Sequence, residues 1–187
     1  GTGNNVTVSG ATWYHNYLSF DGTNDYAYRT NAIYNITNEY TLEILVAPKR
    51  NTGTYQLVFN TVNHGGWDQR FVSTDIADGG FAYFISDGTN SSHITKPILD
   101  EELNKKQLVS SVLKERNFKV YNNDVYYQEL NVDYDPKISK SSIYIGGAST
   151  EYYFEGEIYS IRVYNKALTE DELLHNYNYD KEKFNLE

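Results

Sequence analysis

Apolar and polar residues alternate with a period of two along much of this chain, and no other feature limits its fold more. In YTLEILVAP, Tyr40, Leu42, Ile44 and Val46 point one way, and Thr41, Glu43, Leu45 and Ala47 the other. The same period runs through YQLVFN, RFVS, GFAYFIS, QLVSSVL, FKVY, VYYQEL and SIYIGG. Turn clusters separate these runs: KRNTG, NHGGWD, IADGG, SDGTNSS and YNND. The stretch from Tyr121 to Val125 reads as a tight hairpin, because Asn122, Asn123 and Asp124 tolerate the positive φ that such turns need. Roughly a dozen short strands with regular turns predict an all-β sandwich of two antiparallel sheets and argue against an α/β fold. No repeat, low-complexity segment or linker interrupts the 187 residues, which are expected to form one domain, 1–187.

The end of the chain changes period. FEGEIYSIRVYNKALTEDELLHNY, Phe154 to Tyr177, opens as a strand in which Tyr159, Ile161 and Val163 alternate with Ile158, Ser160, Arg162 and Tyr164. LTEDELL then carries a complete helix start. Thr169 is the N-cap, Glu172 closes a capping box, and Leu168 and Leu173 form the hydrophobic staple. Glu170 and Asp171 sit at the positive end of the helix dipole. The helix is expected to be short and to end near Asn176, with Leu173, Leu174 and Tyr177 folded onto the sandwich.

Charge and composition exclude several functions. The formal net charge is −9, and no basic face of the kind a nucleic-acid partner requires is visible. The absence of Cys removes disulfides, zinc–thiolate sites and thiol nucleophiles. No apolar run approaches the ~18 residues of a membrane span, so membrane insertion is not expected. The lack of any Met, the initiator included, predicts a piece of a larger or processed polypeptide, with other domains of the parent protein as neighbours.

The closing stretch resembles the end of laminin-G-like, concanavalin A-like jelly rolls, through Phe154, Gly156 and the run Ile161-Arg162-Val163-Tyr164-Asn165. YLSFDGTNDYAYR, Tyr17 to Arg29, is similar to the opening strand pair of that family, and IYIGG to its penultimate strand. YTLEILVAP is similar to the strand that follows the opening pair, without its usual Trp, and the middle of the chain echoes the family faintly. The tail NYNYDKEKF is similar to tails of such modules in phage and prophage structural proteins of low-GC bacteria. The resemblance implies a jelly roll with its first and last strands adjacent. It also implies a place outside the cell, on a cell surface or a virion. Members bind glycans or proteins, cleave polysaccharides or act as spacers, so function must come from the site.

Glucanases on this fold carry paired carboxylates at alternate positions of one strand. That signature is absent, and Glu43 stands alone on its strand, so no catalysis is expected. The four His, at 15, 64, 93 and 175, fit no ligand spacing. A structural Ca²⁺ is expected on the sandwich rim, held by Asp21 and Asp25 of FDGTND and by Glu157; an Asx-turn at Asp21 explains the same residues without metal. The expected ligand is a cell-surface glycan or polysaccharide. Trp67 lies on a Gly-rich loop among His64, Asp68, Gln69 and Arg70, residues that can stack on a sugar face and bond its hydroxyls; packing of the ring at the sandwich edge explains Trp67 equally well. Tyr83 and Tyr152 are further aromatic candidates, and alternation alone does not say whether Tyr83 faces a concave surface or the interior. The rival expectation is a structural or protein-contact module with no small ligand.

Overall fold

The computed structural model describes residues 5–32, 38–51, 55–62, 70–136, 141–148 and 151–186. The strands are β1 (Thr7–Ser9), β2 (Thr12–Trp13), β3 (Leu18–Asp21), β4 (Tyr26–Ala32), β5 (Glu39–Pro48), β6 (Gln56–Val62) and β7 (Arg70–Ala77). They continue with β8 (Gly80–Ser86), β9 (Ser91–Pro97), β10 (Gln107–Lys114), β11 (Asn117–Asn122), β12 (Val125–Asn131), β13 (Ser141–Ile145) and β14 (Glu155–Tyr164), before the helix α1 (Glu170–Phe184). A 3₁₀ turn, Asp100–Glu102, precedes β10. Two seven-stranded sheets result. The first runs β1-β4-β13-β6-β7-β8-β9 and the second β12-β11-β10-β5-β14-β3-β2. The expected jelly-roll sandwich with a C-terminal helix is the observed architecture.

The inner faces meet in one apolar core. Tyr40, Leu42, Ile44 and Val46 of β5 share it with Phe81, Tyr83 and Ile85 of β8, and with Phe20, Phe118 and Phe154. The hairpin between β11 and β12 turns through Asn123 at φ 49° and Asp124 at φ 66°, the left-handed conformations expected of YNND. The strand β14 inserts between β5 and β3, with Glu155 opposite Asp21 and Glu157 opposite Ser19. The first and last strand motifs are therefore neighbours, as the resemblance implied.

Alternation in β5 suggests one wet face, yet Tyr40 to Pro48 are buried throughout. The cause is α1, which lies across the outer face of the second sheet. Its start packs Leu168 and Leu173 on Val112 and Tyr121, and its end packs Phe184 and Leu186 on Leu45 and Leu108. The capping box forms as expected, with Thr169 and Glu172 bonding each other's backbone amides. Two expectations need correction. The helix does not end near Asn176 but runs to Phe184, where Asn185 caps it in the left-handed region. Leu174 does not fold onto the sandwich and is exposed. Leu173, Tyr177, Asp180 and Phe184 form the inward stripe at helical spacing, and a charged residue in that stripe conceals the helix's second half.

Asp180 is in the stripe because Arg162 meets it there. The guanidinium donates to both carboxylate oxygens of Asp180, at 2.9 and 2.6 Å, and through Nε to Glu43 Oε2 at 3.0 Å. Asn176 donates to the same Glu43 oxygen at 2.7 Å and to the Tyr164 hydroxyl at 3.0 Å. Glu43, alone on its strand in the sequence, is thus the hub of a buried clamp between sheet and helix.

Candidate functional site

With α1 on the second sheet, the outer face of the first sheet is left to carry an array of aromatic side chains. In β4, Ala27 points inward and Tyr26 and Tyr28 outward; in β13, Ile143 and Ile145 point inward and Tyr144 outward. On the far side, Phe84 of β8 faces outward opposite His93 of β9. The central strands β6 and β7 present two polar groups, Asn60, opposite Tyr144, and Asp75, opposite Ala82, beside the aliphatic Leu57 and Val62. The face is a polar floor between two aromatic flanks.

The geometry of the flanks suits ring stacking. Tyr28 and Tyr144 lie 6.4 Å apart at an interplanar angle of 22°, with Tyr26 5.8 Å from Tyr28. Across the floor, Phe84 is 5.1 Å from His93 and 6.5 Å from Tyr55, and Tyr152 meets Tyr55 edge-on at 5.5 Å. All these side chains are exposed or half-buried. The floor is not. Asp75 is fully buried and accepts a hydrogen bond from the Tyr55 hydroxyl. Asn60 is 3% exposed, and its Oδ1 has no hydrogen-bond partner. Flat apolar ring faces beside fixed acceptors can hold a molecule with C–H surfaces and hydroxyl donors.

Of the described residues singled out in the sequence, Tyr152 belongs to this face, and the register brings Arg70 opposite Val62 at its margin. It sits in the left-handed region at φ 62°, and its carbonyl accepts from the Leu57 amide of β6. Tyr83 is corrected: it is 1% exposed, points into the core opposite Ile94, and cannot offer a ring to a surface ligand. Burial pushes its phenol well above the usual range. Arg70 opens β7, and His64, Trp67, Asp68 and Gln69 lie outside the described residues.

At the rim, Asp21 Oδ1 accepts the amides of Thr23 and Asn24, at 2.8 and 3.3 Å, and Asp25 Oδ2 accepts the Asp21 amide at 2.9 Å. This is the Asx-turn arrangement. Glu157 instead faces Lys49, at 3.5 Å, and the Tyr159 hydroxyl, at 2.6 Å. Among the described residues no group of three or more His, Cys, Asp or Glu is placed to hold a metal ion.

Tyr26, Tyr28, Tyr55, Asn60, Asp75, Phe84, His93 and Tyr144 were missed in the sequence. Parity separates the two faces of a strand but does not say which is inner. In DYAYR the small residue is inside and the large rings outside, the reverse of the usual pattern. A tyrosine ladder flanking a buried alanine is the signal that would have pointed outward.

Over residues 4–174 the sequence matches the family model described as the concanavalin A-like lectin/glucanases superfamily. A comparison with curated proteins finds no match. The fold is similar to the binding domain of botulinum neurotoxin serotype D, with a TM-score of 0.76 and 13% identity over 93% of this chain. It is also similar to the binding domain of botulinum neurotoxin DC in complex with rat synaptotagmin II, with a TM-score of 0.74, 12% identity and 94% of this chain covered. A third likeness is to the serotype D ligand binding domain in complex with N-acetylneuraminic acid, with a TM-score of 0.72, 14% identity and 94% covered. The chain spans 44–46% of the length of these structures. Among the described residues, no helix is long and apolar enough to cross a membrane.

Proposed function

The chain belongs to the concanavalin A-like lectin/glucanases superfamily, and on that premise we propose that it is a non-catalytic glycan-binding module acting outside the cell, on a cell surface or virion. The observation that carries this reading is the first sheet's outer face, where Tyr26, Tyr28 and Tyr144 stand across from Phe84, His93, Tyr55 and Tyr152 over the floor of Asn60 and Asp75. One structural neighbour is complexed with N-acetylneuraminic acid, which adds support for a sugar ligand. Glycoside hydrolysis needs two carboxyl groups about 5–10 Å apart across the scissile bond. Among the described residues, the register puts one carboxyl side chain, Asp75, on this face, which favours binding over cleavage.

A glycan array followed by titration calorimetry tests the reading. Dissociation constants of roughly 10⁻⁵ to 10⁻³ M, about 4–7 kcal/mol, are expected for an accessible sugar. Tyr28→Ala and Tyr144→Ala should each weaken binding about tenfold, ~1.4 kcal/mol, with little change in melting. A blank array would reject the proposal.

A second reading, a protein-contact module, is favoured by a different observation. Trp13 and Tyr14, at the edge of the second sheet, are 68% and 53% exposed, and Tyr14 stacks on Tyr17 at 4.9 Å. One neighbour is complexed with a protein, synaptotagmin II. If Trp13→Ala lost a pulled-down protein partner while the glycan array stayed blank, this second reading would replace the first.

A further inference from the structure

At one end of the second sheet, three turns converge on a polar pocket of 220 Å³. The loop into β10 brings Asn104, Lys105 and Lys106, the β11–β12 hairpin brings Asn123, and the C-cap of α1 brings Asn185. Asn104, Asn123 and Asn185 have φ of 62°, 49° and 53°. Glycine meets that backbone requirement at least cost, yet each position carries an amide. Asn123 has a structural task, since its Oδ1 accepts the Leu108 amide at 2.8 Å. Among the described residues, no hydrogen bond holds the side chain of Asn104 or Asn185.

The pocket's charge is opposite to that of the chain, whose formal net charge is −9. Its carboxylate, Glu102, is already engaged: both oxygens accept from Lys96 Nζ, at 2.7 and 2.9 Å, and one also accepts the Leu99 amide. Lys106 donates to the Phe184 carbonyl at 2.6 Å and lies 5.4 Å from the centre of the Tyr159 ring. It meets the negative end of α1, which Lys181 and Lys183 of the last turn also offset. Among the described residues, neither Lys105 nor Lys106 has a carboxylate within ion-pair distance. Asp124, next to Asn123 in sequence, lines a different hollow with Tyr126 and Glu170. An anion in the pocket therefore meets ammonium and amide donors, and hydroxyls beside it find amides that both donate and accept. We infer that this pocket is a second ligand site, separate from the aromatic face. It holds the carboxylate or sulfate of an anionic saccharide on Lys105 and Lys106, and the neighbouring hydroxyls on Asn104, Asn123 and Asn185.

Titration calorimetry of the whole chain tests this with a uronate oligosaccharide, its sulfated counterpart, its neutral counterpart and inorganic sulfate alone. The tighter of the two anionic saccharides identifies the group that is read. It should bind about tenfold better than the neutral one, as a hydrogen bond to a charged group is worth, and weaken as salt is added. Lys105→Gln should remove most of that gain. Asn104→Gly combined with Asn185→Gly should weaken binding about tenfold with little change in melting, because glycine suits both backbones. Tyr28→Ala, on the first sheet, should leave this binding unchanged. Equal affinity for the neutral saccharide, anionic binding that Lys105→Gln leaves intact, or no binding at all would overturn the inference. Inorganic sulfate binding as tightly as the saccharides would reduce the pocket to an adventitious ion site and overturn it too. Anionic binding lost in Tyr28→Ala would place the ligand on the first sheet, overturning this inference while supporting the glycan-binding reading.

Discussion

At Arg162 three charged side chains meet under a helix. Glu43 and Asp180 are fully buried, and the guanidinium between them keeps part of its surface in water. Removing one member of such a group leaves buried charge without compensation, so Arg162→Met should cost about 3–5 kcal/mol in urea unfolding. Replacing all three residues together, with Glu43→Leu and Asp180→Leu added, should restore most of that loss. Glu43 also makes stability depend on pH. Desolvation raises its pKa, opposed by Arg162 and by the hydrogen bond from Asn176, and the facing Asp180 adds to the rise. A carboxyl whose pKa is raised by folding binds its proton more readily in the native state. Its contribution to stability is present at low pH and lost as pH rises through the folded value. Wild type should therefore gain melting temperature relative to Glu43→Gln between about pH 7 and pH 4.5. A gap that is constant or moves the other way would remove Glu43 from the account. Two glycines allow a second residue-level test. Gly146 and Gly79 share φ near 75° (73° and 76°), but a Cβ on Gly146 would fall 2.0 Å from the Phe20 ring, whereas one on Gly79 meets nothing closer than 3.9 Å. Both alanine variants bear the left-handed strain, about 1–2 kcal/mol. Gly146→Ala should lose about 1–3 kcal/mol more.

Among the elements, α1 separates what a sequence displays from what it hides. Its start was legible because caps are local: Thr169, Glu172 and the two leucines around them lie within one turn. Thr169→Ala should cost about 1 kcal/mol. Its length was not legible, because the inward stripe passes through Asp180, whose partner Arg162 is on a strand. The strands behaved the same way. Their existence followed from period two, and the face each presented to water depended on what covered it. That is why both sides of β5 are dry and why Tyr26 and Tyr28 are outside. Tyr83 was ambiguous for this reason, and only its pairing with Ile94 places it in the core. Deleting residues 166–187 would uncover Leu45, Leu108, Val112 and Tyr121. A contiguous apolar patch on the second sheet should drive self-association, visible as a concentration-dependent mass in light scattering. A truncated chain that stayed monomeric would show that the helix is not needed as a cover.

On the scale of the whole molecule, the chain's ends are joined by the sheet. The two motifs that carried the resemblance, FDG near the start and FEG near the end, face each other across β3 and β14, where Phe20 and Phe154 pack with centroids 6.0 Å apart. Gly156 is required there because a Cβ would lie 2.5 Å from the Ala47 carbonyl oxygen. The motifs are thus signatures of one closure, and closure of distant segments has a kinetic consequence. Loop entropy must be overcome before pairing between the ends contributes, so folding should take milliseconds to seconds or longer. The β10–β11 hairpin, by contrast, pairs residues close in sequence, such as Leu113 with Phe118. Leu113→Ala and Ile158→Ala should each lose about 2–5 kcal/mol, since both side chains are buried. The two losses should divide differently. In stopped-flow chevrons, Leu113→Ala should act mainly on the folding rate, as a contact formed early in the nucleus. Ile158→Ala, in the inserted strand β14, should act mainly on the unfolding rate if, as the long sequence separation of its partners β5 and β3 predicts, β14 pairs after the nucleus has formed. The reverse division would mean that the chain's ends meet first and that the hairpin forms around them.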